Sequence, residues 1–287
     1  MAGRLRLALS LIVAVYFIAF DGVHGSRLAV EKCSEYRNLK INKCPPKELI
    51  LTPRIKSGEF PHQALLGYEK PDGTVEFQCG GVLISKRYVL TVAHCLSNHD
   101  QPTVVRLGEV NILQKGDERD VPIESIIIHP NYLRSQFYND IALIKLHQDV
   151  QFTRSIRPAC LWTENTFNQS SATTTSFSQT TEFEKESLIE LPTKILDKSH
   201  CAHFTENLRR LKNGWADHFI CTESSKENDG VDGCLRNSGD PLQVPADEGS
   251  CIYHLLGLSS FGSCGSPIGV YISVPSFIDW IEQTVWK

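Results

Sequence analysis

Three short segments hold the residue types needed for acyl transfer through a serine. His94 lies in Thr91-Val92-Ala93-His94-Cys95, at the end of an apolar, strand-like run. Asp140 enters another such run, Asn139-Asp140-Ile141-Ala142-Leu143. Ser238 sits in Cys234-Leu235-Arg236-Asn237-Ser238-Gly239-Asp240-Pro241-Leu242, a turn rich in Gly and Pro. Singly, each has an ordinary structural explanation: an unremarked imidazole, a carboxylate capping a strand, a hydroxyl in a turn. Together they supply a nucleophile, an imidazole to take its proton, and a carboxylate to fix the imidazole tautomer. That chemistry calls for no metal and no cofactor. The ten cysteines show no C-x-x-C spacing, and no H-E-x-x-H occurs, so a zinc site is not indicated.

Such a set works only if rigid elements hold it. Short β-rich runs at Gln63–Tyr68, Val75–Ile84, Tyr88–Val92, Val104–Leu107, Ile123–Ile128 and Ile141–Leu146 alternate with Gly, Pro and Asp breaks. That pattern predicts an all-β sandwich or barrel. Two segments read as helix: Lys198–Phe204, and a C-terminal stretch opened by Pro275-Ser276 with Phe277, Trp280, Ile281 and Val285 on one face. Residues 164–181 are rich in Ser and Thr and predict an exposed loop, with a glycosylation sequon at Asn168. No internal repeat is present.

The chain has 287 residues, 41% hydrophobic and 22% charged, which excludes a disordered chain, a collagen and a multi-pass membrane protein. Its net charge is -4, and no Lys/Arg cluster in the sequence concentrates positive charge, so nucleic acid is not an expected partner. Arg4 and Arg6 precede an apolar run, Leu7–Phe20, and Val23-His24-Gly25 offers a cleavage site. Residues 1–25 therefore read as a secretory signal peptide, too short in its apolar part for the roughly 20 residues of a membrane span. Ten cysteines fit the oxidising compartment such a signal leads to. Residues 26–53, with Cys33, Cys44 and Pro45-Pro46, look like a polar arm tethered to the domain formed by residues 54–287.

The motifs resemble those of trypsin-like serine proteases. Phe60-Pro61-His62, Cys79-Gly80-Gly81-Val82-Leu83-Ile84, Ala93-His94-Cys95, Asn139-Asp140-Ile141-Ala142-Leu143 and Gly269-Val270-Tyr271 carry the likeness from about residue 55 to the end. The Cys33-x-x-Tyr36 arm and Leu242-Gln243-Val244 are similar to arthropod clip-domain proteases of the snake type, without a six-cysteine clip module. The resemblance implies two six-stranded antiparallel β-barrels with a C-terminal helix, and His94, Asp140 and Ser238 as catalytic residues. It implies substrate binding by Asp232 at the pocket base, by the strand Ser260-Phe261-Gly262, and by Gly262 and Gly269 at the pocket mouth. It also implies disulfides Cys79–Cys95, Cys201–Cys221 and Cys234–Cys264, with Cys44–Cys160 tying the arm to the body. Cys33–Cys251 then remains.

Against that resemblance stand several departures. The family's nucleophile turn is Gly-Asp-Ser-Gly-Gly-Pro, and here it is Arg236-Asn237-Ser238-Gly239-Asp240-Pro241. Arg236 replaces the Gly that, with Ser238, donates a backbone N–H to the oxyanion, and losing one such donor costs about 10²–10³ in rate. Asn237 replaces the Asp that receives the new N-terminal ammonium after activation; removing one partner of a buried pair costs about 3–5 kcal/mol. The activation sequence is either Arg54-Ile55-Lys56-Ser57 or, aligned from Phe60-Pro61, Leu49-Ile50-Leu51-Thr52, and Ser176-Phe177-Ser178 stands for the family's Gly-Trp-Gly. Arg236 is expected to reach Asp232 and close the pocket, and Asp240 is a poorly placed substitute for the carboxylate lost at 237. The expectation is a pseudoprotease binding protein partners in an extracellular cascade such as arthropod innate immunity. The complete His94/Asp140/Ser238 set keeps open an active endopeptidase cleaving after Arg or Lys. No membrane contact is expected once the signal is removed, and the oligomeric state is left open.

Overall fold

β-Branched and aromatic residues with one buried face favour the short strands that form the two sheets of this chain. A computed structural model describes residues 27–39, 44–45, 55–97, 100–108, 110–112, 116, 118–177, 187–206, 208–224, 237–262 and 267–287. Strands β1 (Gln63–Glu69), β2 (Val75–Leu83), β3 (Tyr88–Thr91), β4 (Val104–Leu107), β5 (Arg119–Ile128) and β6 (Ala142–Leu146) close into an antiparallel barrel in the order β1-β2-β3-β6-β5-β4. The second half contains β7 (Cys160–Leu161), β8 (Ser171–Phe177), β9 (Leu188–Leu196), β10 (Phe219–Ser224), β11 (Pro241–Pro245), β12 (Tyr253–Gly262) and β13 (Ile268–Ser273). Its order is β11-β8-β9-β10-β13-β12, and the β11–β12 pairing closes a second six-stranded barrel. β7 adds to β12 in parallel, outside that ring. Closure satisfies the ladder bonds that an open sheet leaves on its edges.

Among the described residues three α-helices flank the barrels: α1 (Leu28–Arg37), α2 (Lys198–Thr205) and α3 (Ile278–Val285). Asp197 caps α2, its carboxylate accepting the Ser199 N–H at 2.9 Å. α3 follows a tight turn at Pro275–Phe277 and buries Ile278 and Ile281, the C-terminal helix that the spacing of apolar residues predicts.

Two expectations fail here. The arm is not simply a polar tether, because Ala29, Cys33 and Tyr36 line one buried face of α1. The Ser/Thr stretch is not all loop, because Ser171–Phe177 forms β8, with Thr174, Thr175 and Ser176 fully buried. Their hydroxyls find partners: Thr174 Oγ1 meets the Tyr271 hydroxyl within the second barrel at 2.8 Å, and Thr175 Oγ1 donates to Gln63 Oε1 of the first barrel at 2.7 Å. Residues so bonded can be buried although they look hydrophilic.

The arm disulfides also differ from expectation. The bridges are Cys33–Cys160 and Cys44–Cys251, so Cys44–Cys160 and Cys33–Cys251 are incorrect. The parallel register of β7 on β12 sets Cys160 opposite His254, close along the chain to Cys251, and both acceptors lie at one end of the second barrel. α1 then decides the pairing, because its buried face carries Cys33 onto Cys160 and Ile252, with Cα atoms 4.8 Å apart. Cys79–Cys95 and Cys201–Cys221 are also bonded. Cys234–Cys264, the signal segment, Arg54 and residues 49–52 lie outside the described residues.

Candidate active site

Asp140 is the electrostatic anchor of the cleft. Its carboxylate is buried, 1% exposed, and accepts three hydrogen bonds: the His94 backbone N–H at 2.8 Å, His94 Nδ1 at 2.7 Å and the Ser260 hydroxyl at 2.6 Å. A carboxylate on Nδ1 assigns the ring proton to that nitrogen and leaves Nε2 as the basic lone pair. His94 stands in a single tight turn, Ala93–Cys95, directly after β3, and its side chain keeps 28% exposure. Thus one edge of the imidazole is fixed and the other faces the cleft.

The chain presents Asp140 by a sharp reversal. Asn139 has φ +55°, left-handed space in which Asn is tolerated, and its N–H is accepted by His218 Nε2 at 3.3 Å. That acceptor must be unprotonated. Burial holds His218 below the ordinary histidine range, with the nearby His129 acting in the same direction.

Ser238 belongs to the turn that leads into β11. Asn237 C=O accepts the Asp240 N–H at 3.1 Å, and Gly239 has φ +87°, the pattern of a type II turn with the serine at its second position. The Ser238 carbonyl accepts the Gly80 N–H at 2.9 Å and lies 3.8 Å from Cys95 Sγ, so β2 and the histidine turn both touch the backbone of Ser238. Among the described residues the Ser238 hydroxyl makes no hydrogen bond. In unliganded sites such bonds often tighten only when substrate binds.

Asp240 changes this turn most. Its side chain is fully buried, Oδ2 accepting the Asn237 N–H at 2.7 Å and Oδ1 the Gln63 amide at 3.4 Å. The carboxylate fills space beside Gly80, where an added Cβ would lie 2.2 Å from Oδ1. Ser176, standing where the family has Gly, offers its Oγ to the same Asn237 N–H at 3.2 Å. From Gln63 a buried polar chain continues through Thr175 and Gln243 to His62. His62 Nε2 bonds Gln243 Oε1, and burial lowers this histidine to about 4. Sequence reasoning missed this network, whose members carry no motif.

The wall beyond His94 and Asp140 is aromatic. Phe261 of β12 stacks on Phe137 with ring centroids 4.2 Å apart, and the Arg210 guanidinium covers Phe137 at 4.0 Å. Gly262 pairs with Gly269, and a Cβ at Gly262 would meet the Ile268 carbonyl at 3.3 Å. Ser260, whose strand the resemblance places along the substrate, donates its hydroxyl to Asp140. Asp232 and Arg236, with the contact expected between them, lie outside the described residues, as does Ser178. Asn168 is exposed between β7 and β8. Cys33, Cys160 and His254 form the one His/Cys/Asp/Glu group among the described residues with metal-like spacing, but its two sulfurs are a disulfide.

Residues 51–281 match the sequence model of the family described as Trypsin. The chain is 31% identical to serine protease snk of Drosophila melanogaster, over 94% of this chain and 68% of that protein. It is 34% identical to phenoloxidase-activating factor 3 of Holotrichia diomphalia, over 79% and 70% respectively. Serine protease Hayan of Drosophila melanogaster is 33% identical over 81% of this chain, which spans only 38% of that protein.

Proposed function

The chain belongs to the trypsin family, and from that premise we propose that it is a secreted protease homologue impaired in turnover, acting as a binding or cofactor protein in an extracellular proteolytic cascade of innate immunity. Residues 1–25 are its signal peptide, 26–53 a disulfide-held arm and 54–287 the protease-like domain. The observation that carries this reading is the nucleophile turn. Asn237 brings an amide where an activated relative needs a carboxylate, and the carboxylate that the turn does contain, Asp240, has both oxygens engaged by Asn237 and Gln63. An ammonium directed to position 237 would meet an amide instead of a carboxylate, and removing one partner of a buried pair costs about 3–5 kcal/mol. Arg236 at the oxyanion position adds to the impairment. The secreted location draws support from four disulfides among the described residues, where no helix is long and apolar enough to cross a membrane.

One observation favours the second reading, an active endopeptidase cleaving after Arg or Lys through His94, Asp140 and Ser238, with Asp232 at the pocket base. Asp140 has its complete set of hydrogen bonds, an arrangement that a pure binding protein does not require. A fluorophosphonate probe separates the two. Purified protein, before and after limited cutting with trypsin, is expected to show no labelling beyond that of Ser238→Ala. Labelling that disappears in Ser238→Ala establishes the endopeptidase and ends the impaired reading.

A further inference from the structure

The sequence shows no long basic run, yet folding assembles one at the rim of the cleft. Residues 131–138 contain Arg134 and no acid, and residues 208–214 contain Arg209, Arg210 and Lys212 and no acid. The two segments are locked together. The Phe137 N–H donates to the Arg210 carbonyl at 3.2 Å, the Tyr138 hydroxyl to the Gly214 carbonyl at 2.8 Å, and Arg210 Nη2 to the carbonyls of Arg134 at 2.9 Å and Gln136 at 3.4 Å. Four cations thus share one edge of a molecule whose net charge is -4. Arg209, Arg210 and Lys212 make no ion pair with a carboxylate among the described residues.

Arg210 is held before any ligand arrives, its guanidinium laid on Phe137, which in turn stacks on Phe261 beside Ser260. A cation fixed in this way loses little rotamer freedom on binding, and its planar fork suits a carboxylate. Leu133, 55% exposed on the same segment, adds an apolar contact. We propose that this rim is a docking surface for an acidic peptide segment of a protein partner, its carboxylates meeting Arg209, Arg210 and Lys212 and an apolar side chain lying against Leu133 and the Phe137–Phe261 stack. The inference rests on the reading of the cleft as a protein-binding site. It names the chemistry of the segment that would approach it.

The test uses full-length protein carrying Ser238→Ala, so that its outcome does not depend on whether the serine is reactive. Fluorescence anisotropy compares a labelled peptide containing an Asp/Glu run beside Leu and Phe with the same peptide in which Asn and Gln replace the acids. The acidic peptide is expected to bind, and to bind roughly tenfold more weakly when salt is raised past the screening range or when Arg209→Ala and Lys212→Ala are combined. Both of those side chains are exposed and make no side-chain hydrogen bond among the described residues, so folding is retained. Arg119→Ala with Lys194→Ala, exposed elsewhere, leaves affinity unchanged. Equal binding of the two peptides, or no effect of the rim variants, overturns the proposal. So does capture of a sulfated polysaccharide by the rim with no binding of the acidic peptide. Ser238-dependent fluorophosphonate labelling would overturn the impaired-turnover reading and leave this result standing.

Discussion

Gly239 has no room for a methyl group. With φ +87° and a hypothetical Cβ 2.2 Å from the Gly80 carbonyl and 2.7 Å from Thr91 Oγ1, Gly239→Ala forces both backbone strain and a steric clash. The expected cost is at least about 2 kcal/mol, read as a lower urea midpoint at unchanged slope. A loss below about 0.5 kcal/mol would contradict the turn geometry. His62 makes a second prediction. Its folded value, about 4, lies below the unfolded 6.5, so the stability it contributes is present above 6.5 and is lost as pH falls towards 4. The full loss is on the order of 3 kcal/mol, and His129, His218 and His254, also lowered by burial, act in the same direction. Urea titrations at pH 7 and pH 4.5 should show a smaller difference for His62→Gln than for the natural protein. The sequence displays His94, Asp140 and Ser238 because each sits in a short motif flanked by apolar runs. It hides the chain from Asp240 to His62, whose members are common polar residues separated by up to 181 positions and are joined only by folding.

Among the elements, α1 is the one least visible in the sequence, and its attachment explains why. Its buried residues are Ala29, Cys33 and Tyr36, none of them a strong apolar signal in a polar segment. Tertiary contacts hold it instead. Its N-terminus has no side-chain cap of its own, and the Ala29 N–H donates to the Glu282 carboxylate of α3 at 2.9 Å, while Arg27 pairs with Asp279 at 2.7 Å. At the other end the Tyr36 hydroxyl donates to the Ile84 carbonyl at 3.0 Å, and its ring meets Phe152 edge-on. Glu282→Ala and Tyr36→Phe are each expected to cost about 1 kcal/mol in urea titration. The two losses should add, because the bonds lie at opposite ends of the helix. β8 was hidden for a different reason. Thr is β-branched and suits a strand, but Ser/Thr-rich segments also suit loops, and the partners that make burial acceptable, Tyr271 and Gln63, are remote in sequence.

For the whole molecule, two disulfides set the outcome of proteolysis. Cys33–Cys160 and Cys44–Cys251 both join the segment before residue 46 to the second barrel. Cutting anywhere between residues 46 and 55 should therefore leave one band on a non-reducing gel and release an N-terminal fragment on reduction; release without reductant would contradict the pairing. Strand periodicity predicts only an all-β sandwich or barrel, and the resemblance carried by the motifs implies two barrels, whereas disulfide connectivity depends on which way α1 faces, and the rim's charge on two loops about 75 positions apart. Beside the candidate nucleophile a backbone bond joins the two barrels, Gly80 N–H to Ser238 C=O. That donor belongs to β2 and the acceptor to the turn before β11, so the proton on Gly80 is shielded only while the halves stay together at that seam. Deuterium uptake at this one amide is consequently a clock for their separation, and a ligand seated across the seam will slow it without touching Gly80.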